Sequence, residues 1–471
     1  MPAIQNDLTQ GSVTRKLIRY ALPLVASSLL QALYSITDFI IAGHFIGDAG
    51  ISAINNASII MNMLTQVAIG LTVGGNILVG QFFGQGDETR RRRASGSMFT
   101  LGLCAGVLFA SVFELIGRPF LRLLGAPALE EAAAYFNICA LGLFFIFGYN
   151  ALSAILRGVG NSRIPLYCVI VSVSVNVELD LLFVAFFRWG VEGAAAATVI
   201  AQGLAFLTAL IFALRHRADL GLTPGCLRPT REMVGRILRL GTPTAVQWTI
   251  ASVSWLVVVA LINQYGVSVS AGNGVSNKIR DFCQLFVTAM CTGAGTMCAQ
   301  CLGAQLYDRA EQVMKTCMRI TLIMAGVIIA VAELFAPRFA AIFTPDPQVQ
   351  QWAVRNTSGI TGSMRSVAGL DHTKLRHGEV LNLRIEIVCQ IFYAGMFSYN
   401  TLATGSGHTM FIMWNSFLNC IVVRLILALI LDHLFGVVGV YVACGVAVAS
   451  SVPVGYWFYR SRRWMHPLNV K

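Results

Sequence analysis

The stretch Val169–Phe187, VIVSVSVNVELDLLFVAFF, decides the fold. It is apolar and close to the roughly 20 residues a helix needs to cross a bilayer, yet it carries Asn176, Glu178 and Asp180 near its middle. A carboxylate at mid-bilayer costs about 2.5–3.5 kcal/mol on insertion scales, so an acid placed there is expected to face a cavity or a partner. Residues four apart lie on one face of a helix, so Asn176 and Asp180 offer three oxygens to one small site. Glu178 points roughly the opposite way.

The rest of the 471-residue chain is of the same kind. Apolar residues make up 56% and charged residues 12%, and the mean hydropathy is +0.68, outside the range of ordinary soluble domains. Long apolar runs are continuous rather than alternating, which predicts spanning helices and not a β-barrel. The polar start, MPAIQNDLTQGSVTRKLIRY, predicts that no signal peptide is removed. Most of the 12 cysteines, such as Cys104, Cys139, Cys168 and Cys291, sit in apolar runs, where Cys acts as a small hydrophobe. Cys298 and Cys301 form a lone CxxC with no second pair, too little for a zinc site.

Twelve spans are predicted, at about 17–43, 51–80, 95–116, 132–156, 163–187, 191–214, 236–262, 272–300, 316–336, 384–404, 409–431 and 437–459. The fold class expected is an all-α polytopic membrane protein. Basic residues gather in every second loop: Arg90–Arg93, then Arg157 and Arg163, then Arg215 to Arg239, then Arg309 and Lys315, then Arg460 to Arg463. The positive-inside rule makes these loops, and both termini, cytoplasmic. The net charge of +12 is thus read as topology and lipid attraction rather than as a nucleic-acid surface.

Two halves repeat. LIRYALPLV at 17–25 answers ILRLGTPTAV at 237–246, and GQFFG at 80–84 answers AQCLG at 299–303, an offset of 219 or 220. LRGVGNS at 156–162 answers ATGSGHT at 403–409, and WGVEGAA at 189–195 answers FGVVGVY at 435–441, where the offset has grown to 246 or 247. The halves are predicted as an N-terminal six-helix lobe at 1–214, a basic cytoplasmic linker at 215–234 and a C-terminal six-helix lobe at 235–471. With six spans each, they share an orientation, and the cleft between them is the expected substrate path. The added residues map to 357–382, a polar Gly/Ser/Thr-rich insertion expected on the outside.

A second acid, Asp38, stands in TDFIIAGHFIG of the first span, and Thr198 stands in GAAAATVIAQ of the sixth. Lys278, Arg280 and Asp281 form a charged cluster in the eighth span, expected to pair internally and face the cleft. Glu386 and Arg424 are further polar residues of the tenth and eleventh spans. FGQGDETRRRR lacks the GK[ST] ending of a phosphate loop. No HExxH and no filter-like repeated loop appears, so neither an enzyme nor a channel is expected.

The paired halves, TDFIIAGHFIG, the NxxxD of Asn176 and Asp180, GVEGAAAATVIAQ and FFGQGDETRRRRA resemble the multidrug and toxic compound extrusion (MATE) transporters over nearly the whole chain. The similarity is greatest to the branch named after a DNA-damage-inducible protein (DinF-like). The resemblance implies a cation-coupling site at Asp38, Asn176, Asp180 and Thr198 in the N-terminal lobe. Their oxygens suit Na⁺, and the acid pair equally suits a proton. This chain departs from the pattern at Glu178, usually apolar, and at Leu181, commonly proline; its seventh span lacks the acid another branch uses.

The function so implied is export of organic, often cationic or amphiphilic compounds by alternating access, driven by H⁺ or Na⁺ influx, with the first span bending at Pro23. The alternative is a flippase for lipid-linked saccharides of the same wider superfamily, which would want a more basic cleft. Candidate substrate-cavity residues are Tyr34, Met61, Tyr149, Lys278, Arg280, Asp281, Met290 and Tyr399. No cofactor beyond the coupling ion is expected. The partners are small organic molecules and membrane lipids, and the chain is expected to be a monomer of the prokaryotic cell membrane.

Overall fold

A computed structural model describes residues 5–123, 129–343 and 382–467. The described residues are almost wholly helical. The helices are α1 (Val13–Phe45), α2 (Gly47–Gln85), α3 (Glu88–Leu123), α4 (Leu129–Leu141), α5 (Leu143–Gly158), α6 (Arg163–Asp180), α7 (Gly190–Arg215), the short α8 (Arg217–Leu220) and α9 (Pro224–Leu227), α10 (Arg231–Asn263), α11 (Val267–Gly303) and α12 (Tyr307–Phe343). After the gap come α13 (Asn382–Gly405), α14 (Thr409–Phe417), α15 (Ile426–Phe435) and α16 (Val437–Arg460). The insertion expected at 357–382 lies, but for its last residue, outside the described residues.

Ten of the described helical segments are long and apolar enough to cross a membrane, and α4 with α5 makes an eleventh, bent by 42°. With α13, which packs on α11, α12 and α16, the bundle has the twelve-helix arrangement of two lobes. The fourth span was expected at about 132–156. The structure breaks it at Gly142, whose N–H turns back to the Cys139 carbonyl at 2.9 Å. Elsewhere the helices run on beyond their apolar stretches, because polar turns such as Arg231–Arg239 extend α10 beyond the hydrocarbon; Thr230 caps it, its hydroxyl accepting from the Met233 N–H at 3.3 Å.

Two helices widen into π-helix, α6 at Leu181–Phe186 and α14 at Leu418–Leu425. Each extra residue per turn rotates the side chains that follow, and such segments cluster at functional sites. The first begins directly after Asp180; the second contains Arg424.

The core is divided by lobe, with one helix shared. Leu17, Tyr20, Ala21 and Leu24 of α1 pack with Val287, Met290 and Ala294 of α11 in the second lobe. Ile41 and Ala42, at the far end of α1, pack with α2 and α4 of the first lobe. The changeover falls between Val25 and Ile41, beyond Pro23, through which α1 continues without a break.

At the end of the bundle that carries the N-terminus the lobes close tightly. Gln81 of α2 donates to the Gly405 carbonyl at 2.7 Å, and Gln300 of α11 donates to the Gly158 carbonyl at 2.9 Å. These are the same contact twice: 81 and 300 differ by the repeat offset, as do 158 and 405. Glycine is required where the two helices meet, since a Cβ on Gly84 would lie 1.9 Å from the Gln300 carbonyl oxygen and one on Gly303 2.0 Å from that of Gln81. The N-terminal segment is laid across this joint: the Asn6 N–H bonds the Val159 carbonyl at 3.0 Å, the Leu8 N–H bonds Gln300 Oε1 at 3.0 Å, and Arg309 donates to the carbonyl of Gln10 at 2.9 Å.

Candidate functional site: an acid pair behind a central cavity

Between the lobes lies a cavity of about 540 Å³, a size that suits a drug-like molecule. Its wall is largely uncharged and mixes a mainly apolar surface with polar side chains, Gln31, Asn62, Gln202, Gln247 and Asn400 among them. Tyr34, Tyr149, Asn176 and Thr198 line it, as expected of site residues. Met61 and Met290 instead pack into the cores of the two lobes, and Tyr399 packs against Tyr456 and Tyr459. None of these three reaches the cavity wall.

The four residues of the expected cation site come together from three helices. Asp180 ends α6 and Asn176 stands one turn earlier, and both side chains are only 1% exposed. Asp38, half-buried on α1, is the second acid of the group, and its charge interacts with that of Asp180. Thr198 on α7 donates to the Ala194 carbonyl at 3.0 Å and meets the Tyr34 hydroxyl at 3.4 Å. No described donor reaches either oxygen of Asp180 or the amide oxygen of Asn176. Two neighbouring carboxylates repel when both are bare, and a proton on one or a cation beside them relieves that repulsion. The carboxyl, amide and hydroxyl oxygens form a set for a small hard cation, and no group of three or more His, Cys, Asp or Glu with metal-holding geometry occurs among the described residues.

The acids do not line the cavity; Tyr34, Asn176 and Thr198 do, so these three stand between it and the pair. Sequence reasoning missed Tyr135 and Cys139 of α4, which interact with Asp38 and with each other, Tyr135 also bonding Ser58. Glu178 is exposed, on the other face of α6.

The second lobe has no such acid pair among its described residues. In its own π segment, which lies earlier in the repeat than that of the first lobe, stands Arg424, 6% exposed, whose charge interacts with Tyr393, Cys420, Cys444 and Arg280. Cys444 is the repeat counterpart of Thr198 at the offset of 246. Arg280 pairs with Asp281 at 3.0 Å and lies 4.1 Å over the Trp255 ring, so the internal pairing expected of this cluster is present, but neither residue lines the cavity. The side chains of Lys278 and Glu386 lie outside those described.

Arg157 requires a correction. Expected in a basic loop, it stands in the last turn of α5 and lines the cavity.

Comparison with known proteins follows this geometry. The chain is 27% identical over 356 residues to the probable multidrug resistance protein YoeA of Bacillus subtilis, covering 74% of this chain and 77% of that protein. It is 26% identical over 343 residues to the multidrug export protein MepA of Staphylococcus saprophyticus, covering 72% and 73%. An outward-facing multidrug resistance MATE family transporter of the MOP superfamily superposes with a TM-score of 0.86 at 20% identity, over 97% of both chains. The MatE family model matches residues 23–182 and again 243–363, starting at Pro23 and Pro243, the paired prolines of the internal repeat. By this double match over both lobes, the chain belongs to the MatE family.

Proposed function

We propose that the protein is a secondary-active antiporter, not an enzyme, that exports organic amphiphilic compounds across the cell membrane in exchange for H⁺ or Na⁺. The observation that carries this reading is the buried Asp180, whose two oxygens have no described donor and whose charge interacts with that of Asp38, one turn from Asn176 in the cavity wall. The relatives named for multidrug resistance and multidrug export point the same way. A cation entering between the acids draws α1 toward α6; its departure leaves two like charges that push them apart. Because α1 is shared between the lobes, that movement changes the cavity as well. Cation and substrate therefore compete through one helix, a coupling that is reciprocal by linkage.

In the orientation expected from the basic loops, the Gln81–Gly405 and Gln300–Gly158 contacts close the cytoplasmic end, and alternating access requires them to break. The flippase alternative wants a basic cleft, whereas one arginine lines this cavity. The decisive experiment is efflux of a fluorescent dye from proteoliposomes under an imposed pH or Na⁺ gradient. One gradient is expected to drive transport and Asp180→Asn to stop it. Full driven activity in both Asp180→Asn and Asp38→Asn would sink the proposal.

A further inference from the structure

The cavity wall contains no Asp or Glu among the described residues, and its one charged side chain is Arg157. Its Nε is buried without a hydrogen-bond partner among the described residues. The residue itself is half-buried, and a guanidinium that faces a cavity with no acid in its wall is met by an oxyanion through charge-assisted hydrogen bonds. The surroundings are neutral: Thr296 donates to Asn76 at 3.2 Å and Tyr149 to the Pro165 carbonyl at 3.2 Å. Nothing there would repel an anion.

From this geometry we infer that Arg157 is an anion-recognising subsite at the closed end of the cavity, and that the exported molecules are amphiphiles bearing a carboxylate, sulfonate or phosphate group. The inference rests on the exporter reading and narrows its substrate class. It replaces the expectation of mostly cationic cargo, since a cation would find one positive charge and no acid in the wall. The backbone around Arg157 is also the point where the closed end is tied. The Tyr20 hydroxyl bonds the Arg157 carbonyl at 2.9 Å, Gln300 bonds that of Gly158, and Asn6 bonds that of Val159. An anion on this side chain therefore sits on the turn that joins α1, the second lobe and the N-terminal segment.

The test uses two dyes with one ring system and opposite charge, fluorescein as the anion and rhodamine 123 as the cation. Binding is read by fluorescence anisotropy on the full chain in nanodiscs of neutral lipid. The native protein is expected to bind fluorescein saturably, with an affinity that falls as salt rises. Arg157→Gln should raise the fluorescein Kd about ten-fold or more while moving that of rhodamine 123 less than about two-fold, and Arg157→Lys should recover part of the loss. Competition in discs containing phosphatidylglycerol separates the sources: displacement of fluorescein by the lipid supports the anion site and makes a lipid phosphate its occupant. If the native chain binds and exports rhodamine 123 but not fluorescein, the subsite is wrong and the exporter stands. Failure to bind or move either dye overturns both. Equal weakening of both dyes in Arg157→Gln would mark a merely structural arginine. Should that variant not fold, the charge preference of the native chain decides alone.

Discussion

Asn176 is held with both amide atoms buried and unpartnered among the described residues, next to an aspartate whose two oxygens lack a donor. Leaving such groups unsatisfied costs about 1–3 kcal/mol each, so the site is strained toward whatever fills it. Replacing Asn176 with Leu, of similar volume, is therefore expected to raise the melting temperature of the ion-free protein and to remove stabilisation by Na⁺ or by protons. Thermal unfolding across a Na⁺ series and a pH series would show this. An unchanged ion response would separate Asn176 from the cation site. Thr198 is a weaker case, because its hydroxyl already has the Ala194 carbonyl. Thr198→Ala should lower cation affinity a few-fold, within the worth of one neutral ligand.

At the scale of the helix, α2 and α11 are the pair that closes one end. Their approach is limited by Gly84 and Gly303, and each crossing is sealed by a glutamine that is fully buried. A methyl group at either glycine must push backbone against backbone, which costs about 1–3 kcal/mol when a packed contact cannot relax. Gly84→Ala and Gly303→Ala are each expected to speed hydrogen exchange at 76–86 and 296–306 while leaving the outer half of α2 unchanged. Gln81→Ala and Gln300→Ala should both speed the same exchange, Gln300→Ala the more, because Gln300 also accepts from the Leu8 N–H. Protection that survives in all of these variants would show that the closure rests on other contacts. The bend at Gly142 belongs to this scale too. It sets α5 at an angle to α4, whose Tyr135 and Cys139 interact with Asp38.

Across the whole molecule, the N-terminal segment holds the two lobes together. It bonds the first lobe through Asn6 and the second through Leu8 and Gln10, and the Leu8 side chain is fully buried among residues of the second lobe. Burial of one leucine is worth about 2 kcal/mol. Deleting residues 1–10 is thus expected to shift the protein toward the state open at this end. Distances between spin labels on the tips of α2 and α11 should lengthen in the deleted chain, and an unchanged distribution would remove the segment from the closure. The charge asymmetry of the lobes is equally a property of the whole. Paired acids stand beside the π segment of one lobe, and Arg424 stands in the π segment of the other, so an entering cation is expected to act on the first lobe alone.

The helical class, the twofold repeat and the oxygen set of the first lobe were legible in the chain, because each depends on local periodicity and on the cost of a charge in hydrocarbon. Asp38, Asn176, Asp180 and Thr198 stood out as polar atoms on apolar helices, and such atoms must meet something. Tertiary structure alone decided which faces meet. Arg157 is indistinguishable in sequence from a loop arginine, since topology counts charges and not the direction of a side chain in the last turn of a helix. Met61, Met290 and Tyr399 look no different from cavity residues until packing buries them in the lobes. The joint sealed by Gln81 and Gln300 pairs atoms 324 and 142 residues apart, and no local pattern states that a glutamine on one helix finds a carbonyl on another.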